Sequence, residues 1–251
     1  MQEWFVYLQK VFRIANDSWD IAAPSDALRA GLATLRELGL AGESNTRDKE
    51  IRPWEVAKIK QFLSPVMQDV IDALMIVPFR VSELCGIEWK HFDEFNRTVK
   101  LFRKDTNKKK TTYKKEVWVT LPVIEVIKDD ETVVEVDTFD LLFKRGDRSQ
   151  PGPFIVGEHI SDMELQGAEA SRQFSMAHKL AGIHDIHLHD ARSSAMSDLF
   201  AQGFDVSAVC HLSGHTDWKV VQERYARLRP KKVHALFKRQ ARINQQARAA
   251  A

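Results

Sequence analysis

The sequence predicts an α+β domain, mainly helical, carrying one small three-stranded antiparallel sheet. Two observations predict it. Apolar residues recur at helical spacing through residues 4–84 and again through 169–228, whereas from Trp89 to Leu121 the pattern turns to runs of aromatic and β-branched residues. Proline and glycine punctuate the chain at Pro24, Pro53, Pro65 and Gly182, where elements start or stop.

Taken in order, Trp4, Phe5, Leu8, Val11, Phe12, Ala15 and Trp19 form one helical stripe that Pro24 ends. Ser25 is expected to cap a second helix reaching about Leu40, and the polar residues 42–50 read as a linker. Pro53 opens a helix through Leu63, Pro65 another to about Val77, and Ser82 is expected to cap a short one after it. Strands are expected over 89–92, 98–102 and 116–121, the last two joined by a lysine-rich hairpin at 103–115. Glycines and prolines make 143–160 a loop, after which helices are expected over 169–181, 191–201, 206–212 and 220–228.

A chain of 251 residues can bury one good core, or one core with a small appendage. No apolar run approaches the roughly 20 residues that span a bilayer, and the N-terminus lacks a signal-peptide pattern, so a cytoplasmic protein without a membrane partner is expected. Cys85 and Cys210 have no metal-like spacing and read as small buried hydrophobes rather than a disulfide. The formal net charge is only +2, but it is unevenly spread. Arg97, Lys100, Arg103, Lys104, Lys108, Lys109, Lys110, Lys114 and Lys115 form one basic segment, and Arg224 to Arg248 forms a second with no acid in it. Asp129, Asp130, Glu131, Glu135, Asp137 and Asp140 oppose them. Such segregation suits a protein with one face on a polyanion.

The residues from His189 to Tyr225 bring together His189, Asp190 and Arg192, then Ser213, Gly214 and His215, then one of only three tyrosines. These are the groups needed to cut a phosphodiester without a metal. A phenol can attack phosphorus, guanidiniums can hold the developing charge, and imidazoles can move protons. His184, His187 and His189, or His211 with His215, would suit a metal only with further ligands, and neither a dinuclear set nor HExxH is present, so no metal and no other cofactor are expected.

The motifs and their order resemble the tyrosine recombinases, which include phage and mobile-element integrases. Residues 79–86, with Arg80 followed by Val81, Ser82, Glu83 and Leu84, resemble the first arginine box of that family. Ala181, Gly182 and Ile183 with His189 to Arg192 resemble the second, and Leu212 to His215 followed by Arg224 and Tyr225 resemble the remainder. The resemblance spans residues 50–232 and implies a DNA breaking-rejoining catalytic domain. By that resemblance Tyr225 attacks the scissile phosphate and forms a 3′-phosphotyrosyl link, while Arg80 and Arg192 grip the non-bridging oxygens. His189 accepts or relays the tyrosine proton, and His215 hydrogen-bonds the phosphoryl oxygens. Lys104, with Lys108 as second choice, protonates the leaving 5′ oxygen. Glu83 is expected to partner an arginine rather than act as an acid. Lys108, Lys109 and Lys110 are candidate DNA contacts, which would add salt-sensitive affinity with little sequence choice.

Three departures from the family pattern accompany the match. Val77, Pro78 and Phe79 stand where a glycine usually precedes the first arginine, and Tyr225 lies ten positions after His215, one more than the common spacing. The first helix resembles only the last part of an N-terminal clamp. The expected organisation is therefore 1–45 as a remnant or final helices of a core-binding domain, 50–232 as the catalytic domain, and 233–251 as a tail able to contact another protomer. The function implied is a site-specific recombinase or integrase acting on duplex DNA as a homotetramer on paired sites, without metal or ATP. The alternatives are a type IB topoisomerase-like relaxing enzyme and an inactive DNA-binding remnant of a mobile element.

Overall fold

The computed structural model describes residues 2–38, 49–104, 114–127, 132–157, 162–225, 233, 237–241 and 243–245. Its contacts divide the chain into two units, Met1–Asp48 and Lys49–Ala251. No described helix is long and apolar enough to cross a membrane.

The first unit consists of α1 (Gln2–Trp19) and α2 (Ser25–Glu37). Asn16 closes the turn between them: its Oδ1 accepts from the Ala23 amide at 2.7 Å and its Nδ2 donates to the Ser25 hydroxyl at 2.8 Å. Ser25 is the first residue of α2 and Pro24 its cap, a one-residue correction that leaves the serine hydroxyl free to tie the two helices.

The second unit begins with α3 (Pro53–Lys60) and α4 (Pro65–Leu74), each opened by a proline whose missing N–H costs nothing at that position. A short α5 (Val81–Cys85) and a 3₁₀ turn at Trp89–His91 lead into β1 (Phe92–Asp93), β2 (Thr98–Lys104) and β3 (Lys114–Thr120), an antiparallel sheet of order β1-β2-β3. Then come β4 (Val123–Ile127), β5 (Val133–Asp137) and α6 (Thr138–Phe143), followed by α7 (Met163–Leu180), α8 (Leu188–Ala201), α9 (Val206–Ser213) and α10 (Trp218–Tyr225). The core lies among α3, α4, α7, α8 and the inner face of the sheet, around Ile59, Met67, Ile71, Phe79, Leu101, Phe154 and Phe174.

The mainly helical fold with a small three-stranded sheet is as expected, and a second, two-stranded sheet is added to it. The β4–β5 hairpin pairs Val123 with Asp137 through Ile127 with Val133. The acidic residues of this stretch conceal its alternation: Asp137 is not surface charge but the cap of α6, accepting from the amides of Phe139 and Asp140. Arg97 ties Asp137 and Asp140 to the β1–β2 turn, its guanidinium 4.3 Å over the Phe139 ring. The expected cap of α5 is also corrected. Ser82 lies inside the helix and Arg80 is the cap, because Glu83 reaches back to the Arg80 amide at 3.1 Å. Two helices start earlier than the apolar pattern suggests, α7 at Met163 and α8 at Leu188, and the latter brings His189 and Asp190 into the first turn.

Candidate active site

Arg80 stands where the buried segment Val77, Pro78 and Phe79 delivers the chain to α5. Glu83, one turn on, is only 2% exposed in its side chain and holds Arg80 twice, through the amide and through Nη1 at 2.6 Å. The Arg80 side chain nevertheless remains 42% exposed. Helix α7 fixes α5 in place by close approach. A Cβ added to Gly167 would lie 2.8 Å from the Ser82 Cα, so only glycine lets the two backbones meet there.

Helix α8 begins in the same manner, with the buried Asp190 accepting from the amide of His187 at 2.8 Å. His189 projects from this first turn at the exposed rim. Two residues after Asp190, Arg192 is 2% exposed and reaches across to α9, donating from Nη2 to the carbonyl of Ser213 at 2.7 Å. The same Nη2 lies 3.4 Å from His215 Nδ1, and the Ser213 hydroxyl lies 2.8 Å from that nitrogen. A guanidinium can only donate, so Nδ1 is the acceptor and the ring carries its proton on Nε2. Gly214 makes this possible: it ends α9 in the left-handed conformation, at φ +72°, and turns the chain so that His215 folds back on Ser213.

Arg103, expected from the sequence to belong to the basic hairpin connection at 103–115 and its polyanion-facing charge, lies buried within β2. It follows Val99 and Leu101 on the inward face of β2, where the period of two would place a third aliphatic. Instead its Nη1 donates to the His211 carbonyl at 3.0 Å and its Nη2 to the Leu212 carbonyl at 2.7 Å, with Nε 3.7 Å from Glu83. The last four carbonyls of α9 are thus all engaged: Cys210 by the Gly214 amide at 2.7 Å, His211 and Leu212 by Arg103, and Ser213 by Arg192. Two cations from distant segments cap the negative end of one helix dipole. The available signal was the alternation along β2, which marks Arg103 as inward although its chemistry does not.

Burial first, then the Arg192 and Arg80 guanidiniums, with further contributions from His189 and from Arg103, push His215 down to about 4. Desolvation and then Arg192 and Arg80 also lower His189, opposed by Asp190. Both rings are therefore neutral at pH 7. Arg103 is lowered by burial in spite of Glu83, yet a guanidinium starts so high that it stays charged. Three guanidiniums and two neutral imidazoles gathered around two buried carboxylates make a centre that attracts an anion. It offers an exposed cation at Arg80, an N–H donor at His215 and a proton acceptor at His189.

Lys104 is the last residue of β2, paired in register with Lys114, and Tyr225 is the last residue of α10, which packs on α8 and α9 with Val221 buried; both are described by their backbones. Lys108, Lys109 and Lys110 lie outside the described residues. Among the described residues no three His, Cys, Asp or Glu side chains are grouped as metal ligands.

The phage integrase family model matches residues 51–232. Among solved structures, the chain is similar to a lambda integrase dimer bound to a COC′ core site, at 19% identity over 89% of this chain and 72% of that one, with a TM-score of 0.55. It is similar also to lambda integrase residues 75–356 bound to DNA, at 17% identity over 89% and 80%, with a TM-score of 0.51. The Tn1549 transposon integrase in complex with transposon right end DNA matches at 15% identity over 95% and 84%, with a TM-score of 0.50. These likenesses are of fold. No curated protein matches the chain.

Proposed function

The chain belongs to the phage integrase family, that of the tyrosine recombinases, and on that premise we propose that it is a site-specific recombinase that cuts and rejoins duplex DNA through a 3′-phosphotyrosyl intermediate. The observation that carries the reading is the convergence of Arg80, Arg192, His189 and His215 from α5, α8 and the α9 end, beside the helix that ends at Tyr225. In this reading the Tyr225 oxygen attacks phosphorus and passes its proton to His189. The bond from phosphorus to the 5′ oxygen breaks, and Lys104 supplies the proton that the departing oxygen takes. One phosphodiester replaces another, so religation by a 5′-hydroxyl runs the steps backward with no ATP. The two arginines hold the non-bridging oxygens, for which a planar fork of donors suits the geometry, and the His215 Nε2–H adds a third donor. No step calls for a metal or other cofactor.

Duplex DNA and further copies of the chain, as a tetramer on paired sites, are the proposed partners, and a mobile element of a cytoplasmic genome the proposed setting. The domain organisation at 1–45, 50–232 and 233–251 belongs to the same proposal, as do DNA contacts from Lys108, Lys109 and Lys110. Covalent trapping on nicked duplexes drawn from the DNA flanking the gene tests it. Wild-type protein should give a DNA-linked band on denaturing gels and Tyr225→Phe none. Strand exchange between two duplexes separates a recombinase from a topoisomerase-like enzyme, and binding without any adduct would leave a DNA-binding remnant.

A further inference from the structure

Arg103 is a buried cation on a strand where a leucine would be expected, and its energetics ask for an explanation. Exchanging a buried ion pair for packed aliphatics is often neutral or stabilising, so stability alone does not account for a guanidinium here. Its position does. It meets two consecutive carbonyls at the end of α9, the Glu83 carboxylate that holds Arg80, and the open side of Gly214, where an added Cβ would lie 2.6 Å from its Nε. Glycine at 214 is thus required twice, by its positive φ and by the guanidinium packed against it. One residue further along the same strand is Lys104.

We infer that Arg103 is a positioning residue: it locks the end of α9 so that His215 presents its Nε2–H to the phosphate, and it braces Glu83 against Arg80, tying both to the strand that carries Lys104. The inference rests on reading the site as a phosphate-gripping centre, but its structural half can be measured without any DNA chemistry. Lysine cannot replace arginine in this role, because one ammonium cannot span two carbonyls as the fork does.

The test uses the full chain with Arg103→Met and Arg103→Lys. Imidazole ¹⁵N spectra should show His215 in wild type with Nδ1 unprotonated and Nε2 protonated. In both variants that pattern should shift toward a mixture of tautomers, while the remote His91 and His178 keep theirs. Single-turnover cleavage of a nicked duplex should fall about 100-fold in both variants, as for removal of one oriented donor from a charge-stabilising site, with DNA affinity within about threefold. Where Arg103→Met fails to fold, Arg103→Lys decides. An unchanged His215 pattern overturns the inference, and so does cleavage within threefold of an active wild type. A wild type that forms no adduct defeats the recombinase reading instead, and the ¹⁵N arm still decides the positioning role.

Discussion

The two arginines of the candidate site occupy opposite environments. Arg80 is the cap of a five-residue helix, open to solvent, and its position is set by a single acid, Glu83, that meets both its amide and its guanidinium. Arg192 lies in the second turn of a fourteen-residue helix, within the core, and is held by a carbonyl and an imidazole of another element. The same guanidinium is presented to the outside on one flank and used as a structural tie on the other. The α5 flank should therefore tolerate changes that remove its chemistry, whereas the α8 flank should lose chemistry and fold together.

The sharpest way to break that contrast is Arg192→Ala. It strands the Ser213 carbonyl and leaves a cavity, so urea denaturation should show a loss of about 3 kcal/mol or more, with cleavage abolished. Arg80→Ala should cost cleavage about as much, but with a smaller stability loss of about 1–2 kcal/mol, because the buried Glu83 loses the Arg80 Nη1 bond yet keeps the residue-80 amide and the neighbouring Arg103. The double change Arg80→Ala with Glu83→Gln should then recover stability and not cleavage. A result in which both arginines cost equal stability would erase the difference between the flanks.

The two flanks should also respond differently to pH. His215 and His189 belong to the α8 side, and both have folded-state pKa values below the ordinary histidine value. An unfolded chain takes up these protons near pH 6.5, before the folded one does, so their contribution is full above that pH and is lost as pH falls toward 4. Urea midpoints should decline over this range, and His215→Gln should flatten the decline. The smallest effect belongs to Ser213→Ala, which removes one donor to His215 Nδ1 but leaves the backbone carbonyl that Arg192 uses. Single-turnover cleavage should drop about three- to tenfold, in line with a neutral hydrogen bond, with little change in the urea midpoint.

Much of this arrangement was legible before the fold was known. The helical periods, the opening prolines of α3 and α4, and the spacing from Arg80 to Glu83 and from His189 to Arg192 are local facts, and local physics governs helix starts and faces. The β4–β5 hairpin escaped because Asp137 and Asp140 serve as a cap and ion-pair partners, roles that a charge pattern cannot distinguish from a solvated surface.

The sequence by itself determined the fold class, the family and the set of side chains from which a site can be made, since these depend on periodicity, punctuation and motif order along the chain. Only the tertiary structure decided what each polar group does. Arg103 shows the reason: it sits 108 residues from His211 and 109 from Leu212, and which carbonyls its fork meets depends on how β2 and α9 pack, not on any spacing between neighbours. The same packing decided that Arg192 is buried while Arg80 is open, and that His215 is a neutral donor rather than a cation, because desolvation and the summed field of distant charges arise only once the chain has folded.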